Sequence, residues 1–134
     1  MEKLYLFDSF AMIFRAYFAL QKNPLINSKG QNVSAITGFL NTLYEIITKY
    51  KPTHIACAFD STEPTIRHEA FEAYKANRSE TPEDIIFSIP YIKAIIKGFN
   101  IPILEVPGYE ADDIIGAIAM QAEQHNIETY IVTM

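Results

Sequence analysis

The sequence predicts an α/β domain built on a mainly parallel sheet with helices on both faces. Two observations carry that prediction. Short apolar runs suited to buried strands occur at Lys3–Asp8 and at residues 53–60, 101–106 and 127–133, and stretches with apolar residues at helical spacing separate them. The 134 residues contain no internal repeat, low-complexity tract or linker, which suits one compact domain.

The elements follow in order. KLYLFD, Lys3–Asp8, is short and apolar and ends on an acid, as a buried strand would. Residues 9 to about 20, SFAMIFRAYFAL, carry the spacing of a helix. NSKG at residues 27–30 is a turn, with Gly30 able to take a positive φ. A second helix is expected over residues 34–50, stopped by Pro52. THIACAFD, residues 53–60, is the second strand, and it too ends on an aspartate.

A loop at residues 61–64 leads into the polar, basic stretch IRHEAFEAYKANRSE. TPED at residues 81–84 reads as a helix start, with Thr81 as cap, Pro82 in the first position and Glu83 and Asp84 in the first turn. That helix should reach about Lys97, kinked or interrupted at Pro90. Residues 101–106 form the third strand, where Pro102 favours the first positions or a sheet edge. Pro107 and Gly108 turn the chain into a helix over residues 110–125, and residues 127–133 give the fourth strand.

Composition narrows the class. Hydrophobic residues make up 49% and charged residues 20%, the balance of a soluble globular domain. Cys57, the single cysteine, sits in the apolar run HIACAF; it reads as a small core residue and fits a reducing cytoplasm. No window has the apolar length of a membrane span, and MEKLYLFDSF lacks the pattern of a signal peptide. A formal charge of −5 argues mildly against a nucleic-acid partner, although the distribution of charge matters more than its sum. The sequence ends at Met134, directly after the fourth strand. Ligand-binding groups of parallel α/β sheets gather beyond the strand ends, so a fragment, or at best a minimal unit, is expected.

The most informative segment is GYEADDIIG, residues 108–116, where Glu110, Asp112 and Asp113 precede the apolar run IIGAIAM. If the first two strands lie in one parallel sheet, Asp8 and Asp60 share an edge, and the helix beginning near Glu110 starts at that edge as well. Five acids, Asp8, Asp60, Glu110, Asp112 and Asp113, then converge. Carboxylates packed together repel, and a hard divalent cation, Mg²⁺ or Mn²⁺, relieves them. No His or Cys falls among them, which does not suit zinc. A plainer reading stands beside this one. Acids in a first helical turn complement the helix dipole, and an aspartate closing a strand can cap a turn. It accounts for any single residue more easily than for the joint arrangement.

Cations gather in the stretch 67–78. Arg67, His68, Lys75 and Arg78 interleave with Phe71 and Tyr74, and both Phe71 and Lys75 and Tyr74 and Arg78 are spaced to share a helical face. Such a face can grip phosphates while a ring stacks on a base. A solvated amphipathic helix, its rings turned inward and its charge balanced by Glu69 and Glu72, fits the periodicity equally well. Arg15 adds a cation on the helix after Asp8. Histidines 54, 68 and 125 share no catalytic spacing, and no GxSxG, GxGxxG or phosphate-loop pattern occurs. With no nucleophile–base pair, metal-assisted chemistry is the reaction type left.

Asp8-Ser-Phe with Phe14-Arg-Ala-Tyr, then KPTHIACAFD, FEAYKANR, TPEDI and GYEADDIIG occur in that order. Together they resemble the 5′ nuclease (5′-3′ exonuclease) domain of bacterial DNA polymerase I, a member of the flap endonuclease group with a PIN-like, Rossmann-like architecture. The resemblance spans almost the whole chain. It implies a metal-dependent hydrolase acting on phosphodiesters near 5′ ends of DNA or RNA, at flaps, nicks or RNA–DNA junctions, in replication and repair.

By the same resemblance, Asp8, Asp60, Glu110, Asp112 and Asp113 are metal ligands, for two Mg²⁺ or Mn²⁺ ions in the complete domain, and Asp8 and Asp60 are catalytic. Lys75 and Arg78, expected to be catalytic as well, match basic residues that reach the scissile phosphate and the 5′ strand, and Arg15 matches one near the substrate's 5′ end. With Arg67 and Tyr74 they make up the expected nucleic-acid surface. The family continues past the fourth strand with a Gly-Asp-Lys-Asp sequence and a helical hairpin that grips duplex DNA, neither present here. Weak activity or none is therefore expected of these 134 residues alone. Whether a polymerase domain follows is open. The rival readings are a non-catalytic DNA-binding module of the same fold and a small PIN-like ribonuclease. A phosphoacceptor receiver domain fits less well, since receivers pair their acids after the first strand.

Overall fold

The computed structural model describes residues 2–61 and 81–133. Four parallel strands form one sheet: β1 (Lys3–Asp8), β2 (His54–Ala58), β3 (Ile103–Leu104) and β4 (Glu128–Val132), in the order β3-β2-β1-β4. The helices are α1 (Ser9–Ala19), α2 (Ser34–Glu45), α3 (Glu83–Gly98) and α4 (Ala111–Gln124). The predicted fold class and architecture are those observed.

Period-two alternation along the strands decides which helices cover which face. Tyr5 and Phe7 of β1, with Cys57 and Phe59 at β2, face Ile13, Phe39, Leu43, Ile85, Ile92 and Ile96, so α1, α2 and α3 lie on that side. Leu4, Leu6, Ala56 and Ala58 face Ala111, Ile114, Ile115 and Ala122 of α4 on the other. Both faces are covered, which is why KLYLFD reads as an unbroken apolar run. Large side chains such as Phe39 and Ile92, at 1% and 0% exposure, each contribute about 1.5–3 kcal/mol by burial. A Cβ added at Gly38 would stand 2.5 Å from Ala16 Cβ, so α1 and α2 pack at a separation only glycine permits there.

Several element bounds differ from the sequence expectation. The second helix ends as α at Glu45 and continues as one π-helical turn, Ile46–Tyr50. Lys51 then takes a left-handed conformation, φ 47°, before Pro52, which disfavours helical geometry in the residue preceding it. Thr81 is not the cap of α3. Pro82, with φ −54° and ψ 141°, occupies that position ahead of Glu83.

Pro90 does not interrupt α3, which runs unbroken from Glu83 to Gly98. Ile86, whose carbonyl the missing N–H would have met, lies on the exposed face together with Pro90, so water can satisfy it. The third strand shrinks to two residues. It is an edge strand, and Pro102 just ahead of it still accepts the Cys57 N–H at 3.0 Å through its carbonyl.

Candidate active site

Alternation also places the acids. Leu4, Leu6 and Asp8 point one way along β1, and Ala56, Ala58 and Asp60 point the same way along β2 and its exit. Both aspartates thus emerge at the carboxyl edge on the face that α4 covers. The β3–α4 turn returns the chain to that edge, so the start of α4 meets them. Asp60 Oδ1 accepts the backbone N–H of Ala111, the first residue of α4, at 2.7 Å.

Asp8 is half-buried at the centre of this edge. Burial pushes its carboxyl above the usual range, and the negative charges of Asp112 and Asp60 push it further; Thr133 Oγ1, donating to Asp8 Oδ2 at 3.1 Å, and the Ala11 backbone pull the other way. Asp8 therefore feels acids from two other segments. Asp112 is exposed on the first turn of α4.

Glu110 and Asp113 have a further role. Glu110 is the N-cap of α4, and the two residues form a reciprocal capping box. The Glu110 carboxylate accepts the Asp113 N–H, and Asp113 Oδ2 accepts the Glu110 N–H at 3.1 Å. Their three-residue spacing serves the helix end. Among the described residues, no group of three or more His, Cys, Asp or Glu side chains is already disposed to hold a metal ion. The edge collects repelling carboxylates without closing them into a finished cage.

The remaining candidates are placed as follows. Arg15 is exposed on α1, about 10 Å along the helix from Asp8 at 1.5 Å per residue. It lines a groove of about 400 Å³ between α1 and α2, together with Met12, Gly38, Thr42 and Glu45, and none of the five acids lines that groove. Arg67, His68, Phe71, Tyr74, Lys75 and Arg78 lie outside the described residues. Two hydroxyls at the edge escaped the sequence reading: Thr133, bonded to Asp8, and Ser61, whose Oγ accepts the Gly108 N–H at 3.2 Å. The one available signal was position, since each is the residue at or just past a strand's carboxyl end.

Cys57 is fully buried beneath this edge, and burial pushes its thiol up to about 12 despite the Ser9 hydroxyl nearby. It takes the role of a core residue, as the sequence implied.

Comparison with known proteins bears on what the edge is for. Residues 3–134 match the family model described as 5′-3′ exonuclease, N-terminal resolvase-like domain. The chain is 42% identical over 133 residues to DNA polymerase I of Borreliella burgdorferi, covering 99% of this chain and 15% of that protein. It is 40% identical over 133 residues to DNA polymerase I of Bacillus caldotenax, with 98% and 15% covered. The chain thus spans about 15% of the length of these relatives.

Among solved structures, a bacteriophage T5 flap endonuclease in a pseudo-enzyme–product complex with DNA and metal ions is similar with a TM-score of 0.72 at 17% identity, over 98% of this chain and 48% of that one. The T5 5′-exonuclease with bound divalent metal ions (zinc) gives 0.69 at 18% identity, over 98% and 49%. These likenesses establish the fold, and the family match over nearly the whole length establishes the lineage: the chain belongs to the 5′-3′ exonuclease family, as its N-terminal resolvase-like domain.

Proposed function

We propose that this domain takes part in divalent-metal-dependent hydrolysis of phosphodiesters at 5′ ends of DNA, at flaps, nicks or RNA–DNA junctions, in replication and repair. The observation that supports the reading is the meeting of Asp8, Asp60 and the start of α4 at one sheet edge, where Asp60 Oδ1 accepts the Ala111 N–H at 2.7 Å and Asp8 ends the neighbouring strand. Such a set of oxygen donors suits a hard cation, and the absence of His or Cys from it favours Mg²⁺ or Mn²⁺. Of the T5 nucleases that share the fold, one holds divalent metal ions (zinc) and another DNA and metal ions.

Asp8, Asp60 and Asp112 would hold the cation, with exposed Asp113 and buried Glu110 completing the set for a second ion. When bound there, such ions would supply activation of the attacking water and stabilisation of the departing oxygen. The chain's own residues do the rest. Asp60 fixes the start of α4 through Ala111 N–H, and the Glu110–Asp113 box keeps the first turn, and with it Asp112, in place. On the family resemblance, Lys75 and Arg78 would set positive charge against the scissile phosphate and the 5′ strand, with Arg15 near the 5′ end; Arg67 and Tyr74, read from the alternation of cations and rings over residues 67–78, would extend that surface.

The chain covers under half of the T5 nucleases, and alone it should cleave weakly or not at all. In the DNA polymerase I relatives it would work beside a polymerase within one soluble, cytoplasmic protein. Cleavage of a 5′-flap DNA by such a longer protein, with and without Mg²⁺, tests the reading. Asp112→Asn should abolish cleavage while DNA is still bound. Retained cleavage, or cleavage in excess chelator, would refute it, and DNA binding without turnover in the unaltered protein would instead identify a non-catalytic module.

A further inference from the structure

We infer that Ser61 is a positioning residue for the acidic site, setting the spacing between Asp60 and the carboxylates of α4. The inference rests on the metal-site reading above. Asp60 leaves β2, whereas Asp112 enters from the β3–α4 turn, so the distance between them depends on what ties these two segments together beyond the sheet. The last ladder contact is the Phe59 N–H to Leu104 O at 2.9 Å. Past it the chains separate, and Ser61 joins them twice. Its backbone N–H donates to Tyr109 O at 3.1 Å, and its Oγ accepts the Gly108 N–H at 3.2 Å.

Gly108 is the point where the turn is set, at φ 83°, a conformation other residues rarely adopt. Ser61 Oγ therefore holds the residue that reverses the chain, and the Ser61 N–H holds the next, Tyr109, through its carbonyl. Glu110 follows at once as the cap of α4, and Asp60 Oδ1 takes the Ala111 N–H at 2.7 Å. In this way Asp60 and its neighbour clasp residues 108, 109 and 111 from one side. A carboxylate that holds a cation must keep its oxygen within a few tenths of an ångström, and groups behind the ligands that enforce this typically carry ten- to hundredfold in affinity. Ser61 carries no charge and contributes nothing to the attraction itself. Its effect runs through geometry alone.

The test uses Mn²⁺ alone as probe, with the dissociation constant read by electron paramagnetic resonance, on the unaltered chain, Ser61→Ala and Ser61→Thr. Ser61→Ala should weaken Mn²⁺ binding about tenfold and move the Gly108 amide resonance toward that of a water-exposed amide. Ser61→Thr, which keeps the hydroxyl, should restore affinity to within about threefold. A thermal melt of each variant shows whether the fold is intact, and a spectrum unchanged away from residues 108–113 shows the same locally. Equal Mn²⁺ affinity in Ser61→Ala and the unaltered chain overturns the positioning role while leaving the metal site standing. Failure of the unaltered chain to bind Mn²⁺ overturns both.

Discussion

Asp60 Oδ1 accepts the Ala111 backbone N–H at 2.7 Å, a bond between residues 51 positions apart that fixes the first turn of α4 against the end of β2. The same carboxylate thus has two tasks, acceptor for a helix start and candidate cation ligand. They can be separated. Asp60→Asn keeps an acceptor oxygen and loses the charge, so stability should hold within about 0.5 kcal/mol while divalent affinity falls. Asp60→Ala should lose affinity and also about 0.5–2 kcal/mol of stability, the usual cost of an emptied helix-start acceptor. Urea unfolding of both variants checks this.

The capping box predicts coupling between Glu110 and Asp113. Each alanine substitution alone should destabilise by about 1 kcal/mol, and the double variant should lose less than the two added together, because each carboxylate depends on the geometry the other maintains. Were these two residues only mutually repelling ligands, both single variants would stabilise the metal-free chain instead. A double-mutant cycle in chelator separates the cases.

Asp8 predicts a pH dependence of definite sign. Its folded carboxyl holds its proton more tightly than the unfolded one, so the stability linked to that proton is present in acid and lost as pH rises through the folded value. At neutral pH without metal the ionised group is therefore a burden. Asp8→Asn should raise the melting temperature by about 1–3 °C, a modest figure because the group is only half-buried and solvent screens it. The gain should vanish below about pH 4, near the ordinary value for aspartate, and be reversed by saturating Mg²⁺.

Cys57 responds at the other end of the scale. With the folded thiol pushed up to about 12, the unfolded chain ionises first, and stability should fall as pH climbs from about 9 toward 12, by at most about 1.4 kcal/mol per pH unit. Iodoacetamide should leave the native chain unmodified at pH 8 and label it fully in denaturant, read by mass spectrometry.

Gly38→Ala tests the α1–α2 contact. By helix propensity alone the change should stabilise by up to about 1 kcal/mol. The new Cβ would stand 2.5 Å from Ala16 Cβ, and the overlap should win, giving a net loss of about 1–3 kcal/mol. Adding Ala16→Gly should recover part of it.

The parallel sheet was legible because KLYLFD and THIACAF are apolar on both faces, and only a strand covered by helices on each side needs that. The convergence of Asp8 and Asp60 was legible for a related reason, since both close such strands. Other features depend on the third dimension. Pro90 looks like a break, yet its face of α3 is wet. Pro102 shortens β3 by leaving a ladder at an edge that the sequence could not rank. Glu110 and Asp113 read alike in sequence with Asp112, and only the backbone at Glu110, φ −89° and ψ 162°, marks it as the cap and Asp113 as its partner. Ser61 follows a strand-end aspartate in no recognisable pattern; its importance comes from Gly108, which is distant in sequence. Lys75, Arg78, Arg67 and Tyr74 lie outside the described residues, so the part of Lys75 and Arg78 stands on the family resemblance and that of Arg67 and Tyr74 on the pattern of cations and rings.

The central idea is that one end of the sheet, where three separate segments each bring an acid, is where a doubly charged ion settles. Substoichiometric Mn²⁺ added to isotopically labelled chain gives the most direct reading, through paramagnetic broadening of amide signals. Residues 8, 60, 61 and 111–113 should broaden first, with Leu4, His54 and Glu128 at the far end remaining sharp. Broadening centred on that far end, or uniform loss of signal with no preferred location, would contradict the account.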